Sequence, residues 1–102
     1  MTGAELIAQE RTRQVCHKAW TEFHDDGHVN GELARAAACY ASYDIPWCGK
    51  NKRLALIKIL WPRQWSRRDY WKPKDRIRNL VRAGALIAAE IDRLQRLKGA
   101  GQ

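Results

Sequence analysis

The amino-acid sequence predicts an all-α fold: a small helical bundle with two or three long helices and an irregular connection rich in tryptophan and arginine. Apolar residues recur every three or four positions in several segments, and residues that favour helix starts precede them. The one short apolar run that could form a strand is rich in leucine and alanine. The 102 residues suffice for one domain, so a single helical domain is expected over residues 1–102.

The first predicted helix begins near Gly3 and ends at Ala19 or Trp20. Thr2 and Glu5 have the spacing of a capping box, in which each side chain accepts a hydrogen bond from the other residue's backbone N–H. This pattern favours a helix start at the beginning of the chain.

The second helix follows segment 21–31, which is polar, contains two glycines and is predicted to be a loop. Asn30 is the predicted N-cap, and Pro46 ends the helix because the residue before a proline avoids helical geometry. Its apolar stripe consists of Leu33, Ala36, Ala37, Tyr40 and Ala41. The alanines in that stripe indicate a close contact with another helix.

Residues 44–73 are expected to be irregular or a variable insertion. Periodicity cannot distinguish a helix from a strand over residues 54–60, and composition favours a helix. Trp61 and Pro62 would end it.

The last predicted helix extends from Asp75 to Leu97, after a proline suited to a first turn. Its apolar positions form a heptad-like seam with steps of three and four residues: Ile77, Leu80, Gly84, Ile87, Ile91 and Leu94. Val81, Ala85 and Ala88 widen this seam on one side. The seam is expected to pack, and Gly84 is expected to face the alanine-rich second helix. Residues 99–102 are expected to be disordered. Association of the chain with itself through this helix, as a homo-oligomer, is also expected.

Composition excludes several classes of protein. No apolar run approaches the ~20 residues that span a bilayer, and the first fourteen residues lack the apolar core of a secretory signal. We therefore expect a cytoplasmic protein with no membrane partner. The three cysteines are odd in number and include no C-x-x-C pair, so idle thiols are expected rather than disulfides or a cysteine zinc site.

Charge is distributed unevenly along the chain. Residues 1–49 carry four Lys/Arg and seven Asp/Glu, whereas residues 50–102 carry fifteen and four, and the net charge is +8. Such asymmetry indicates a polyanionic partner, or an acidic face on a second copy of the chain.

Basic and aromatic residues alternate over residues 63–82, here called the basic–aromatic block. Arginine pairs bidentately with phosphate, and flat rings stack on bases. The candidate binding residues are Arg63, Trp65, Arg67, Arg68, Tyr70, Trp71, Lys72, Lys74, Arg76, Arg78 and Arg82. They resemble a surface for single-stranded nucleic acid or a nucleotide ligand. The alternative is that the tryptophans fill the core and the arginines form a solvated face.

A second candidate site is a metal site in the loop before the second helix. Its imidazole and carboxylate groups suit zinc, manganese or iron, and the candidate ligands are His24, Asp25, Asp26, His28 and Glu32. The alternative is an acidic, hydrogen-bonded helix-entry loop. No cofactor is otherwise expected, and a divalent metal ion is the exception left open.

Catalytic motifs do not emerge from the sequence. Glu90 and Asp92 are two residues apart and so do not share a helix face, and no nucleophile elbow, Walker loop or G-x-G-x-x-G is present. No catalytic residue is assigned, and a non-enzymatic protein is favoured.

Two blocks, HDDGHVNGELARAAACYA and WKPKDRIRNLVRAGALIAAEIDRL, resemble a group of small helical proteins encoded by phages and prophages. The resemblance covers roughly residues 5–44 and 70–95. It implies a location in the bacterial host cytoplasm and an anti-defence role, anti-CRISPR activity included, or a role in host takeover, with a host defence protein as a further candidate partner.

The helical layout is more distantly similar to MazG-like nucleotide pyrophosphohydrolases. That resemblance implies an oligomeric all-α enzyme in which paired E-x-x-E and E-x-x-D motifs hold Mg²⁺. Glu32 lies on a corresponding helix, but Arg35 and Arg93 stand where acidic residues would be needed.

Three functions follow as hypotheses. The first is a non-enzymatic protein that binds nucleic acid or a nucleotide through the basic–aromatic block. The second is a metal-dependent, MazG-like or HD-like nucleotide hydrolase. The third is a protein–protein inhibitor that acts through its basic face.

Overall fold

The computed structural model describes residues 1–17, 22–43 and 50–100. Within these ranges the chain is all-α with no strand, as the sequence predicts. The helices are α1 (Gly3–His17), α2 (Glu22–Asp26), α3 (Glu32–Ser42), α4 (Lys50–Leu60), α5 (Arg67–Tyr70) and α6 (Arg76–Ala100). Helix α6 packs against α1, α2 and α3, and α4 packs against α3.

The start of α1 has the predicted capping box. The Thr2 backbone N–H donates to Glu5 Oε1 at 3.0 Å, and the Glu5 backbone N–H donates to Thr2 Oγ1 at 3.2 Å. Hydrogen bonds to the Glu5 carboxylate, first from the Thr2 backbone N–H and then from the Thr2 side chain, lower the pKa of Glu5. The predicted continuation of the helix to residue 19 or 20 lies outside the described residues.

The loop predicted over residues 21–31 contains the short helix α2, so that prediction was wrong for residues 22–26. One helical turn is too short to show periodicity. The predicted cap was also wrong: Gly31 is the N-cap of α3, in the left-handed region with φ 76°, and no side chain caps the helix. Glycine adopts this conformation without a steric penalty. The Asn30 backbone N–H instead donates to Glu32 Oε1 at 2.6 Å.

The core lies where α3, α4 and α6 meet. The α3 residues Leu33, Ala36, Ala37 and Tyr40 are buried as predicted, and Ala41 is half-buried. They pack with Ala83, Leu86 and Ala89 of α6 and with Ile57 of α4. Small side chains on both helices allow the close contact that the alanine-rich stripe predicts.

Helix α6 is present as predicted but buries mostly a different face. The large residues of the predicted seam are exposed, whereas Val81 and Ala85, predicted to widen it on one side, are buried together with Ala83, Leu86 and Ala89. Alanines fit between α6 and its neighbours where bulkier seam residues would hold the helices apart. Helix α6 also continues to Ala100, so residues 99 and 100 are helical rather than disordered.

Gly84 faces α1 rather than the predicted α3. A Cβ atom built on Gly84 would overlap Cδ1 of Ile7 and lie 2.8 Å from its Cγ1. Ile7 therefore occupies the space that the missing side chain leaves, which explains why the helix tolerates a glycine that costs about 1 kcal/mol in propensity.

Residues 50–60 form a helix, so the irregular segment predicted over 44–73 is shorter than expected, and the preference for a helix over residues 54–60 is confirmed. Arg35 caps the end of α4: its Nε donates to the Leu60 carbonyl and its Nη2 to the Ile59 carbonyl, both at 2.9 Å. Among the described residues, no helix is long and apolar enough to cross a membrane.

Cys39 should resist alkylation in the folded protein while Cys16 reacts. Cys39 is fully buried, and burial raises the pKa of its thiol to about 11, although the charge of Arg35 partly opposes this. Since the thiolate is the nucleophile, iodoacetamide at pH 8 should label exposed Cys16 well before Cys39. Peptide mapping by mass spectrometry measures both rates, and equal rates in the folded protein would contradict this placement.

Candidate anion-binding surface

An aromatic cluster holds the segment between α4 and α6 against α3. The Trp71 ring lies 4.8 Å from the Tyr40 ring, 5.3 Å from the Tyr43 ring and 5.3 Å from the Trp61 ring, measured between centroids. Trp61 and Trp65 lie 5.9 Å apart with their planes at 81°. These separations are typical of stabilising edge-to-face and tilted ring pairs. The cluster therefore anchors residues 61–72 to the core through their tryptophans.

Hydrogen bonds fix the same segment. Trp61 Nε1 donates to the Trp65 carbonyl at 2.8 Å, and the Tyr40 hydroxyl donates to the Tyr70 carbonyl at 2.8 Å. The Lys72 backbone N–H donates to the Tyr40 hydroxyl at 3.1 Å. A connection whose one described helix is the single turn α5 thus has a defined backbone path.

The aromatic members of the basic–aromatic block divide between packing and exposure. Trp65 and Trp71 are half-buried and pack against the core, whereas Tyr70 is 48% exposed. Most of the aromatic surface that the sequence offered for base stacking is thus used inside the protein. Tyr70 and the outer face of Trp65 remain accessible.

Three of the basic residues in the block have structural partners. Arg76 Nη1 donates to the Ala41 carbonyl at 2.7 Å, and Arg78 pairs with buried Glu10. Arg82 donates to the Lys72 carbonyl and lies over the Tyr40 ring, 5.8 Å from its centroid. These three arginines are half-buried and connect α6 to α1, α3 and the preceding segment.

The other five basic residues are exposed: Arg63, Arg67, Arg68, Lys72 and Lys74. Among the side chains that the structure describes, no carboxylate forms an ion pair with Arg63, Arg67, Lys72 or Lys74. This surface therefore carries positive charge that the described part of the chain does not neutralise.

A shallow groove of about 360 Å³ opens beside the end of α4 and is here called the cationic groove. Lys58, Arg63 and Arg67 supply its charged lining, and Trp61 and Trp65 supply its aromatic lining. None of its lining residues is acidic. Sequence reasoning missed Lys58, although the helical prediction for residues 54–60 places it one turn before the tryptophan that ends α4.

Two other clefts among the described residues have mixed charge. One beside α1 is lined by Glu10, Arg13 and Arg78, and another is lined by Arg11 and Arg96 together with Glu22 and Asp92. Carboxylates in these clefts would repel an anion. The cationic groove is the better candidate for binding one.

Ion pairs on the α1 and α2 side explain this difference. Arg11 lies 3.2 Å from Asp25, Arg96 lies 2.7 Å from Asp26, and Arg13 lies 2.7 Å from Glu10. Three acidic residues of the N-terminal half, Glu10, Asp25 and Asp26, are thus matched by arginines close to them. Positive charge then remains on residues 58–74, which contain six Lys/Arg and one Asp.

The predicted metal ligands do not converge in the described part of the chain. Asp25 and Asp26 face different arginines, while His28 Nδ1 lies 3.3 Å from Glu32 Oε2. The His28 ring packs edge-on against Trp65, with centroids 5.0 Å apart. No group of three or more metal-binding side chains occurs among the described residues. The side chain of His24 lies outside them, and the metal site stays a prediction.

Helical architecture and an exposed cationic face define this molecule as a small all-α protein with a candidate anion-binding surface. Comparison with protein-family models, curated proteins and solved structures finds no match. The phage family, the anti-defence role and the MazG-like or HD-like hydrolase therefore stay predictions.

Proposed function

We propose that this chain is a non-enzymatic nucleic-acid-binding protein that holds the phosphate backbone of a single strand on the cationic groove and the adjacent surface. The observation that supports this most strongly is the group of exposed basic residues on a segment fixed by the aromatic cluster. Arg63 and Arg67 line the groove, and Lys72 and Lys74 extend the charge along the chain toward α6.

Phosphate recognition fits this chemistry. Guanidinium groups donate hydrogen bonds in a planar fork that matches phosphate oxygens, and Arg63 and Arg67 are free of carboxylate partners among the described side chains. Because the backbone of residues 61–72 is already fixed by ring packing and hydrogen bonds, binding would cost little backbone ordering.

Base stacking would add to these contacts. The accessible rings are those of Tyr70 and Trp65, whose centroids lie 5.9 Å apart. Stacking on aromatic side chains tolerates any base. The protein is therefore expected to bind single strands with little dependence on sequence.

Arg67→Glu should weaken binding of a labelled single-stranded oligonucleotide about tenfold at 50 mM salt, the loss expected for one phosphate contact with a salt slope of ~0.7. Arg63→Glu should act similarly. The slope of log K against log salt should fall by about 0.7 for each contact removed. Fluorescence anisotropy titrations at several salt concentrations measure both quantities.

Lys98→Glu is the matched control. It makes the same charge change at an exposed lysine in the last turn of α6, remote in sequence from the groove, and should change affinity much less. Binding that is undetectable at 50 mM salt would refute the proposal. An equal loss in Lys98→Glu and Arg67→Glu would refute the assigned surface, and tight binding of mononucleotides alone would point to a nucleotide ligand instead.

A further inference from the structure

Helix α6 exposes a continuous row of large aliphatic side chains. Its members, here called the aliphatic face, are Ile77, Leu80, Ile87, Ile91 and Leu94, and they are 42% to 68% exposed. At 1.5 Å per residue the row spans about 26 Å. Single exposed aliphatic residues are ordinary, but a contiguous row marks an interaction site.

The large side chains of this face stay exposed in the folded chain. Helix α3 packs on another side of α6, and α1 meets the aliphatic face only at Gly84, over which Ile7 lies. The aliphatic face contains no charged or polar side chain, although the chain is 29% charged. A solvated helix face would be expected to carry charges, so this composition indicates a covered surface.

We propose that a second copy of the chain covers the aliphatic face, with the two α6 helices antiparallel and a two-fold axis between Ala85 and Leu86. Counting Gly84, the face has steps of three, four, three, four and three residues. This order is the same from either end. A two-fold axis at its centre therefore matches every position to another position of the same face, as a symmetric dimer requires.

In the antiparallel pair, each a position of the heptad lies opposite a d position of the second copy, as knobs-into-holes packing allows. Ile77 lies opposite Leu94 of the second copy, and Leu80 lies opposite its Ile91. Gly84 lies opposite the second copy's Ile87, which would therefore also contact Ile7 of α1, the side chain that covers Gly84.

The helix dipoles favour the antiparallel arrangement over the parallel one, because each α6 start then lies beside the end of the other α6. Side-chain charge does not separate the two arrangements. A parallel pair would place Arg76 beside Arg76 and Lys98 beside Lys98, and the antiparallel pair places Lys98 of the second copy opposite residue 73, beside Lys74 and Arg76.

Sedimentation velocity over a range of concentrations tests the dimer, and its outcome does not depend on whether the chain binds nucleic acid. The unchanged protein should sediment as a dimer, and Ile87→Glu should raise the dimer dissociation constant at least a hundredfold, because each dimer then contains two charges at its centre. The matched control is Ile59→Glu, the same change at an exposed isoleucine of α4, which should remain dimeric. A monomer at every concentration, or a dimer that tolerates Ile87→Glu, would overturn the proposal.

Circular dichroism should show unchanged helicity for Ile87→Glu. If Ile87→Glu unfolds, Leu94→Glu takes its place in the sedimentation comparison. Cysteine cross-linking tests the direction. Ile77→Cys and Leu94→Cys are made separately in chains that also carry Cys16→Ser and Cys48→Ser, then mixed and oxidised. Disulfides between the two variants are expected, since the bond requires Cβ atoms ~4 Å apart. Disulfides formed only within each variant would establish a parallel pair and overturn the antiparallel arrangement.

Discussion

Replacing Trp61 with alanine is expected to lower the free energy of unfolding by about 3–5 kcal/mol, the usual cost of removing a large buried aromatic side chain. The Trp61 ring is only 5% exposed and contacts the rings of Tyr40, Trp65 and Trp71. Its Nε1 also holds the Trp65 carbonyl. The substitution therefore opens a cavity and releases the backbone of the segment that bears the cationic groove. Urea denaturation followed by circular dichroism measures the change.

Tyr70→Ala is the control for this substitution, because it removes an aromatic ring from the same segment at a half-exposed position. Surface substitutions usually change stability by no more than about 0.5 kcal/mol, so its effect should be far smaller. A loss below about 1 kcal/mol for Trp61→Ala would fall short of the cost of a buried aromatic residue. It would show that the aromatic cluster does not fix this segment.

Glu10→Gln is expected to produce the second large effect, a loss of about 3 kcal/mol, the lower end of the cost of breaking a buried ion pair. Glu10 is 1% exposed. Arg13 Nε and Nη2 donate to its carboxylate at 2.8 and 2.7 Å, and Arg78 connects the same carboxylate to α6. Arg13 and Arg78 are both partly exposed to solvent. The expected loss in the free energy of unfolding therefore lies at the lower end of that range. Asp92→Asn removes a half-exposed carboxylate and should have a much smaller effect.

The pH dependence of stability should identify the Glu10 carboxylate as the source of this effect. Burial opposes its ionisation, but the hydrogen bond and charge of Arg13, with the charge of Arg78, outweigh burial and lower the pKa of Glu10 below its ordinary 4.5. The unfolded chain then takes up the proton first as the pH falls. The contribution of Glu10 is complete above pH 4.5 and is lost as the pH falls through the folded pKa.

Urea denaturation at a series of pH values below 5 should therefore show a shallower decline for Glu10→Gln than for the unchanged protein. Parallel declines in the two proteins would mean that Glu10 does not interact more favourably in the folded state than in the unfolded one.

Local signals in the sequence predicted the long helices α1, α3 and α6, but not the short helices α2 and α5 or which face of α6 is buried. The seam at Ile77, Leu80 and Ile87 has the spacing of a packing face, yet the chain packs the opposite, alanine-rich side against α1 and α3. Both faces of α6 are apolar, and periodicity alone cannot rank them. The choice depends on the small residues of α3 and on Ile7, which lie far from α6 in the sequence.

The sequence predicted which segment carries the candidate site, but not which contacts the side chains of that segment make. Alternation of arginine with aromatic residues located it, whereas Arg78 proved to be a partner of Glu10, 68 residues away. Such long-range ion pairs leave no signal in local spacing. The same limit applies to Arg35, whose role in capping α4 depends on the packing of α3 against α4.

Ultraviolet cross-linking of a single-stranded oligonucleotide, with the modified residues identified by mass spectrometry, tests most directly whether the surface around the cationic groove binds nucleic acid. Cross-links are expected at Trp65 and Tyr70, the accessible rings among the exposed basic residues. They should weaken in Arg67→Glu and persist in Lys98→Glu. Cross-links confined to α1 and α2, or none at low salt where anisotropy shows binding, would contradict the assignment of this surface.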